Sequence, residues 1–200
     1  IDGGPGTPEG VLPPIIDRLP MLAGGFWNGV VAIDGGDLLT SFEVSSTLFR
    51  SKRGARNGTA TDLPAVRRRG VNEALYDDMV RDPSAARRIA FAHSVPMAAQ
   101  MIGTGMLALA TVDPTQVGPR FTGTFYVTLV DFAKNQQCAD FAVPVPIDPM
   151  PHVAFRGDTL VVLVQPAGTS DTTESYIHRF GIEPKRCTWQ PLPPAKRIGG

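Results

Sequence analysis

Residues 153–166 read Val-Ala-Phe-Arg-Gly-Asp-Thr-Leu-Val-Val-Leu-Val-Gln-Pro. The Gly157-Asp158 pair predicts a turn, the five apolar residues 160–164 predict a strand after it, and Pro166 ends that strand. A polar loop follows, and a second segment then alternates with a two-residue period, so that four side chains share one face of a strand: Tyr176, His178, Phe180 and Ile182. Strand, turn and strand before a proline-rich exit are typical of the end of a β-sandwich.

Segments of the same kind recur along the chain. Strands are predicted over residues 26–33, 38–49, 106–112, 121–132 and 138–145, and Asp34-Gly35-Gly36 predicts a hairpin between the first two. Asp113-Pro114 predicts a turn after the third. Residues 72–80 and 83–92 predict one or two short helices. We therefore predict an all-β protein, an antiparallel β-sandwich of about eight strands without a convincing repeat.

The composition shift along the chain predicts its division. Residues 1–24 are rich in Pro and Gly yet carry many apolar side chains, which favours an extended N-terminal arm that docks on another surface. Residues 25–195 are predicted to form a single β-sandwich domain with one long insertion at 50–92. Residues 196–200 are assigned to a C-terminal tail.

Overall charge is balanced, with 19 basic and 19 acidic residues among 200. No global field therefore directs the protein to nucleic acid or to a membrane surface. No run of apolar residues is long enough for a membrane-spanning helix, and no signal peptide is visible. Because the sequence starts at Ile1 and not at Met, we expect a chain that is processed or cut from a longer protein.

The one local charge anomaly is the stretch 50–69, where seven basic side chains face only Asp62. Such a stretch is either a phosphate-binding patch or a solvated loop, and the two interpretations are equally supported. No aromatic residue interleaves with the arginines, so a nucleic-acid contact would be made to the backbone. The candidates for that contact are Arg50, Lys52, Arg53, Arg56, Arg67, Arg68 and Arg69.

Groups that could carry chemistry are sparse. His93, His152 and His178 are widely spaced and match no metal-ligand pattern, and His178 is interpreted as a packed strand residue. Phosphate loops and nucleophile motifs are missing from the sequence. We therefore predict no enzyme activity, no cofactor and no metal site. For Cys138 and Cys187 a disulfide stays possible, but two unpaired thiols are favoured.

The order of these elements resembles a known family. An apolar arm leads to Phe26-Trp27-Asn28-Gly29, and a Thr-Gly-Thr-Phe-Tyr-Val-Thr-Leu strand follows at 122–129. Residues 157–164 and 176–182 stand near the end, before the proline-rich exit. This looks like a jelly-roll coat protein of picorna-like viruses, with the size of the small coat subunit of comovirus-like (secovirus-like) plant viruses.

The resemblance implies a structural coat subunit that assembles into an icosahedral capsid and encloses RNA. Its partners would be copies of itself or sister coat subunits, with packaged RNA contacted through its backbone, and its location would be the virion. The alternative from another class is a secreted, extracellular β-rich binding module. That module would be a fragment of a β-propeller, in which about three blades fit the chain, or a β-sandwich ligand-binding domain. A third option is a β-sandwich enzyme with its site on loops near His93, His152 or Asp148.

Overall fold

The structure, a computed structural model, describes residues 29–42, 45, 47–63, 81–82, 94–117, 120–143, 151–164 and 175–199. These residues form thirteen strands and one turn of 3-10 helix at Pro184–Arg186. The strands are β1 Gly29–Asp34, β2 Asp37–Phe42, β3 Thr47–Lys52, β4 Gly58–Asp62, β5 Val95–Ile102, β6 Met106–Val117, β7 Arg120–Asp131, β8 Gln136–Val143, β9 His152–Arg156, β10 Thr159–Val164, β11 Tyr176–Gly181, β12 Gln190–Pro191 and β13 Lys196–Ile198.

The strands form three antiparallel sheets. Sheet A has the order β1-β2-β3-β4-β13, sheet B the order β5-β6-β7-β8-β12, and sheet C the order β9-β10-β11. Apart from β12 and β13, each strand pairs with its neighbours in the sequence, so each sheet is a meander. The two exceptions come from the C-terminal segment, which adds one edge strand to sheet B and one to sheet A.

Each sheet begins with a tight hairpin that places glycine at positive φ. The turn of β1–β2 has Gly35 at φ 59°, that of β9–β10 has Gly157 at φ 60°, and that of β5–β6 has Gly103 and Gly105 at 61° and 72°. Residues that carry a Cβ atom rarely adopt a positive φ, which is why glycine is needed at these turns. The three hairpins amount to a structural repeat that the sequence analysis did not predict.

Sheet B lies in the middle, and both of its faces are buried. Alternate residues of β6 point to opposite faces of sheet B. Leu107 and Leu109 belong to the apolar cluster that includes Leu39 of sheet A. Ala108 and Ala110 belong to the cluster that includes Leu160 of sheet C. This arrangement explains why residues 107–112 are apolar or small without a polar alternation, since a strand covered on both faces needs no polar side. The order of layers is therefore A, B, C, the order of the sequence.

The first strands of the three sheets lie side by side, since β1 contacts β5 and β5 contacts β9. At the two ends of the stack, the faces turned away from sheet B are partly open. Val31 and Ile33 of β1 are 55% and 64% exposed, and Ile177 of β11 is 54% exposed. On sheet A this exposure is confined to β1, because Phe49 and Ser51 on the same face are buried. On sheet C the face of Ile177 also carries His152, Arg156 and Arg179.

Residues 182–199 form what we call the C-terminal strap. The strap leaves sheet C, pairs through β12 with β8 and then through β13 with β4. A disulfide between Cys138 on β8 and Cys187 holds it, with the two Cα atoms 5.6 Å apart. The preference for unpaired thiols was therefore wrong, because only the return of the strap along sheet B brings these cysteines together.

The prediction of an all-β antiparallel sandwich is confirmed. The jelly roll is not confirmed, since a jelly roll contains Greek keys and the described sheets are meanders. The tail predicted at 196–200 was wrong for the residues of β13, which add a strand to sheet A. The proline-rich exit was wrong for Pro191, which belongs to β12 at the edge of sheet B, a position that tolerates proline.

Three further boundaries differ from the predictions. The single strand predicted at 38–49 is wrong, since residues 38–42 belong to β2 and residues 47–49 to β3. The turn predicted at Asp113-Pro114 is wrong, because β6 continues to Val117 in its pairing with β7. On the other side of β6, the pairing with β5 extends only to Val112, so Pro114 interrupts no hydrogen bonds between β5 and β6. The insertion predicted at 50–92 is wrong for residues 50–52 and 58–62, which are strands of sheet A.

The predicted arm at 1–24 and the predicted helices at 72–80 and 83–92 lie outside the described residues. Within the part of the chain that the structure describes, no helix is long and apolar enough to span a membrane.

Candidate functional site: a basic groove on sheet A

A network of charges joins three strands at the hairpin end of sheet A. Asp37 at the start of β2 is only 7% exposed, and its two oxygens bind Arg50 Nε at 2.7 Å and Lys52 Nζ at 2.5 Å. The other arm of the Arg50 guanidinium donates to Asp34 Oδ2 at 3.1 Å. Asp37 is the direct cross-strand partner of both Asp34 and Lys52, so the pairing register brings two like charges together and sets a lysine beside them. The ion pairs with Lys52 and Arg50 offset the repulsion between the two carboxylates.

Packing also fixes the Arg50 side chain. Its guanidinium carbon lies 5.1 Å from the ring centroid of Phe132, in the turn between β7 and β8 of sheet B. Cation–π contact adds to the two ion pairs and holds the charge at the boundary between sheets A and B. Hydrogen bonds from Lys52 and Arg50 lower the pKa of the Asp37 carboxyl below its ordinary value, despite an opposing effect of burial.

A groove of about 520 Å³ opens beside this network. Strands β3, β4 and β13 form it, and its walls combine basic side chains, small polar groups and two glycines. The lining residues are Asp37, Arg50, Ser51, Lys52, Asn57, Gly58, Thr59, Arg197, Ile198 and Gly199. Its volume falls in the range of sites that hold small organic ligands.

Glycine is required where β13 approaches the β3–β4 turn. Gly199 has φ 77°, and a Cβ atom at this position would stand 3.0 Å from the Asn57 Cα and still closer to the Arg56 carbonyl oxygen. At Gly58 a Cβ atom would collide with the Arg50 carbonyl oxygen. The floor of the groove is thus closely packed backbone, which holds the charged side chains above it at fixed spacing.

The structure brings together part of the basic stretch that the sequence singled out. Arg50 and Lys52 line the groove, and Arg53 and Arg56 lie exposed in the adjacent turn, where the Arg53 backbone N donates to the Gly36 carbonyl oxygen at 2.9 Å. Arg67, Arg68 and Arg69 lie outside the described residues. Contact of RNA with the four described basic residues of this stretch stays a prediction.

Of the basic residues that line the groove, Arg197 was not predicted from the sequence. It stands in Lys196-Arg197-Ile198, which follows several prolines and carries no period that predicts a strand. No local signal could have placed it beside Arg50, since only the return of the strap does so.

The histidines do not gather into a site. His178 lies on β11 and stacks on Phe180, with ring centroids 6.3 Å apart, which confirms its interpretation as a packed strand residue. His152 begins β9 and is exposed, and His93 lies outside the described residues. Across the ranges that the structure describes, no group of three or more His, Cys, Asp or Glu side chains could hold a metal ion.

Comparison of the chain with family models, with curated proteins and with solved structures finds no match. A functional proposal therefore rests on the arrangement of the sheets and on the groove.

Proposed function

We propose that this chain is a β-propeller-type binding module, in which sheets A, B and C are three consecutive blades. One observation carries the proposal: the sheets are meanders stacked face to face in sequence order, with their first strands β1, β5 and β9 in contact along one side. In a propeller, the first strand of each blade lies nearest the central axis, and neighbouring blades bury their faces against each other.

The open ends of the stack support the same proposal. A propeller closes into a ring of four to eight blades, so three blades leave one sheet without a neighbouring blade at each end. Val31 and Ile33 on sheet A and Ile177 on sheet C are side chains that a further blade would cover. The ring would be completed by further sheets of the same meander type.

The disulfide supports an extracellular location. Cys138 is buried on sheet B, and its bond to Cys187 fastens the strap that joins the outer edges of the sheets. Structural disulfides persist in oxidising compartments and are rare in the cytosol. We therefore place the module outside the cytosol, where it acts by binding and without catalysis.

A coat subunit is the second candidate function. The half-exposed apolar side chains Val31, Ile33 and Ile177 at the two ends of the stack favour it, because such side chains can also pack between identical subunits. The basic side chains of the β3–β4 turn would then meet packaged RNA. This candidate lacks the support that the meander sheets give to a propeller.

Electron microscopy of the purified protein separates the two candidates. Where further sheets complete the ring, a propeller gives small disc-shaped particles, and class averages show blades arranged radially around a central depression. The three sheets alone would give an open arc of blades. Icosahedral shells of megadalton mass that protect RNA from nuclease would overturn the propeller proposal and establish the coat. Sedimentation velocity on the same sample provides the mass independently.

A further inference from the structure

We infer that the groove on sheet A is a binding site for a small organic oxoanion, with Arg197 as its principal ligand-binding residue. The inference deepens the proposed binding function and rests on it. It goes beyond the basic stretch at 50–69, because its central residue belongs to the C-terminal strap.

The register of four strands aligns residues that line the groove. Leu39, Arg50, Thr59 and Arg197 are successive cross-strand partners on β2, β3, β4 and β13, so they form one row on a single face of sheet A. Direct partners stand about 5 Å apart at Cβ. Thr59 therefore lies between two arginine positions in this row and lines the groove with them.

The basic side chains that line the groove differ in how their charges are balanced. Arg50 and Lys52 are held by Asp34 and Asp37, so their charges are balanced within the protein. Arg197 is exposed, and no carboxylate pairs with it among the described residues. Its guanidinium therefore carries a positive charge that can pair with a bound ligand.

The basic residue next to Arg197 in the sequence, Lys196, already has an acidic partner. Lys196 points to the opposite face of the strand, where its Nζ lies 3.4 Å from Asp62 Oδ2. Adjacent basic residues on β13 thus have different surroundings: one is paired at the sheet edge, and the other faces a groove with hydroxyl and amide groups from Thr59 and Asn57.

These features fit the chemistry of an oxoanion. Guanidinium binds a carboxylate or a phosphate through two parallel hydrogen bonds, and hydroxyl and amide groups can donate to the remaining oxygens. The groove of about 520 Å³ is larger than a free phosphate needs, so the ligand carries an organic body next to its anionic group. Carboxylate and phosphate share this recognition, and the experiment distinguishes them.

Titration calorimetry with inorganic phosphate, citrate and a uridine ribo-oligonucleotide tests the inference on the full chain. We expect at least one of the three to bind, and Arg197→Gln to weaken it about tenfold or more, which corresponds to one lost charge-assisted hydrogen-bonded pair. Citrate binding alone identifies a carboxylate ligand, whereas phosphate or oligonucleotide binding identifies a phosphoryl ligand. Arg197→Lys should restore only part of the affinity, because ammonium lacks the bidentate geometry.

Lys196→Gln is the matched control. It removes the same charge from the adjacent residue, and it should change the affinity by less than about twofold. Equal weakening by the two variants would mean diffuse electrostatic attraction and would overturn the inference, as would no binding of any probe at millimolar concentration. If Arg197→Gln does not fold, judged by its thermal transition, Thr59→Val in the same row replaces it and should weaken binding in the same way.

The outcome is separable from that of the proposed function. Radial blades in the micrographs without binding of an anion would reject only the site. Anion binding that depends on Arg197 in a particle that is not a propeller would reject only the ring.

Discussion

The two interfaces of the central sheet differ in character. Between sheets B and C the buried side chains are almost all apolar, with Phe125, Leu160 and Val162 fully buried. Between sheets A and B a smaller apolar cluster adjoins polar groups: Arg50 over Phe132 at one end, and Gln137 fully buried on β8. The difference indicates that the B–C interface chiefly provides stability, whereas the A–B interface gives up part of its stability to position the charges beside the groove.

The largest expected effect comes from the apolar interface. Phe125→Ala removes a fully buried ring between sheets B and C and should lower the free energy of unfolding by about 4 kcal/mol. The matched variant Leu39→Ala, in the A–B interface, should cost about 3 kcal/mol. Urea denaturation at pH 7 measures both. A greater loss for Leu39→Ala would reverse the ranking of the two interfaces.

The disulfide should have the next largest effect. It links positions 49 residues apart and ties the strap to sheet B. The double variant Cys138→Ala/Cys187→Ala should lose about 3 kcal/mol, because the unfolded chain regains the freedom that the bond removed. Thermal melting measures the loss, and reduction of the unaltered protein by dithiothreitol is the control without a change in packing. An unchanged transition after complete reduction would contradict the role of the bond.

The charged network of sheet A should contribute less to the free energy of unfolding than the disulfide does. Its contribution should be present only above acidic pH. Asp37→Asn should lower stability by about 2 kcal/mol at pH 7, since Arg50 and Lys52 lose a charged acceptor. Because the pKa of Asp37 is lowered in the folded state, its contribution is present above the unfolded value of about 3.9 and disappears as the pH falls through the folded value.

Urea denaturation of the two proteins at pH 7 and at acidic pH measures this dependence. The difference between them should shrink as the pH approaches the lower pKa, and a constant difference would show that the asparagine acts through packing alone. Lys134, which lies in the β7–β8 turn and pairs with Asp131 at the end of β7, offers a control: Lys134→Gln should alter stability by less than about 1 kcal/mol at either pH.

The smallest expected change is a gain. Gln137 is 1% exposed, and neither end of its amide has a hydrogen-bond partner among the described residues. It is the direct partner of Val130, so it belongs to the face that packs against sheet A. Gln137→Met keeps the length of the side chain and should raise stability by about 1 kcal/mol, since it removes buried polar atoms that lack partners.

A chemical denaturation curve would detect this gain, with Gln136→Met as the partly exposed control that should change little. A loss of stability in Gln137→Met would indicate that a buried water satisfies the amide. The A–B interface would then be as well packed as the B–C interface, and the contrast between the two would weaken.

Much of the fold could be predicted from the sequence, because strands depend on local patterns. The run at 160–164, the alternation at 176–182 and the glycine turns each carry their own signal, and β1, β7, β10 and β11 lie close to their predicted positions. Prediction failed where a partner decided the outcome. Pro114 lies inside a strand because β5 ends earlier, and residues 50–52 extend a strand although their charges resemble those of a loop.

The site was half predictable for the same reason. The excess of basic residues after position 50 identified Arg50 and Lys52 as candidates, yet it could not show that Asp34 and Asp37 balance their charges. That pairing depends on the register of β1, β2 and β3. Arg197 could not be identified at all, since it lies 138 residues from its cross-strand neighbour Thr59.

The sequence by itself determined the class of the fold: runs of β-branched and apolar residues between glycine turns require strands, and short turns require antiparallel pairing. Only the tertiary structure decided the order of the sheets, the pairing of Cys138 with Cys187 and the groove beneath Arg197. Strand formation depends on neighbours within a few residues, whereas stacking and edge pairing join segments far apart in the chain, and no local pattern records which segments will meet.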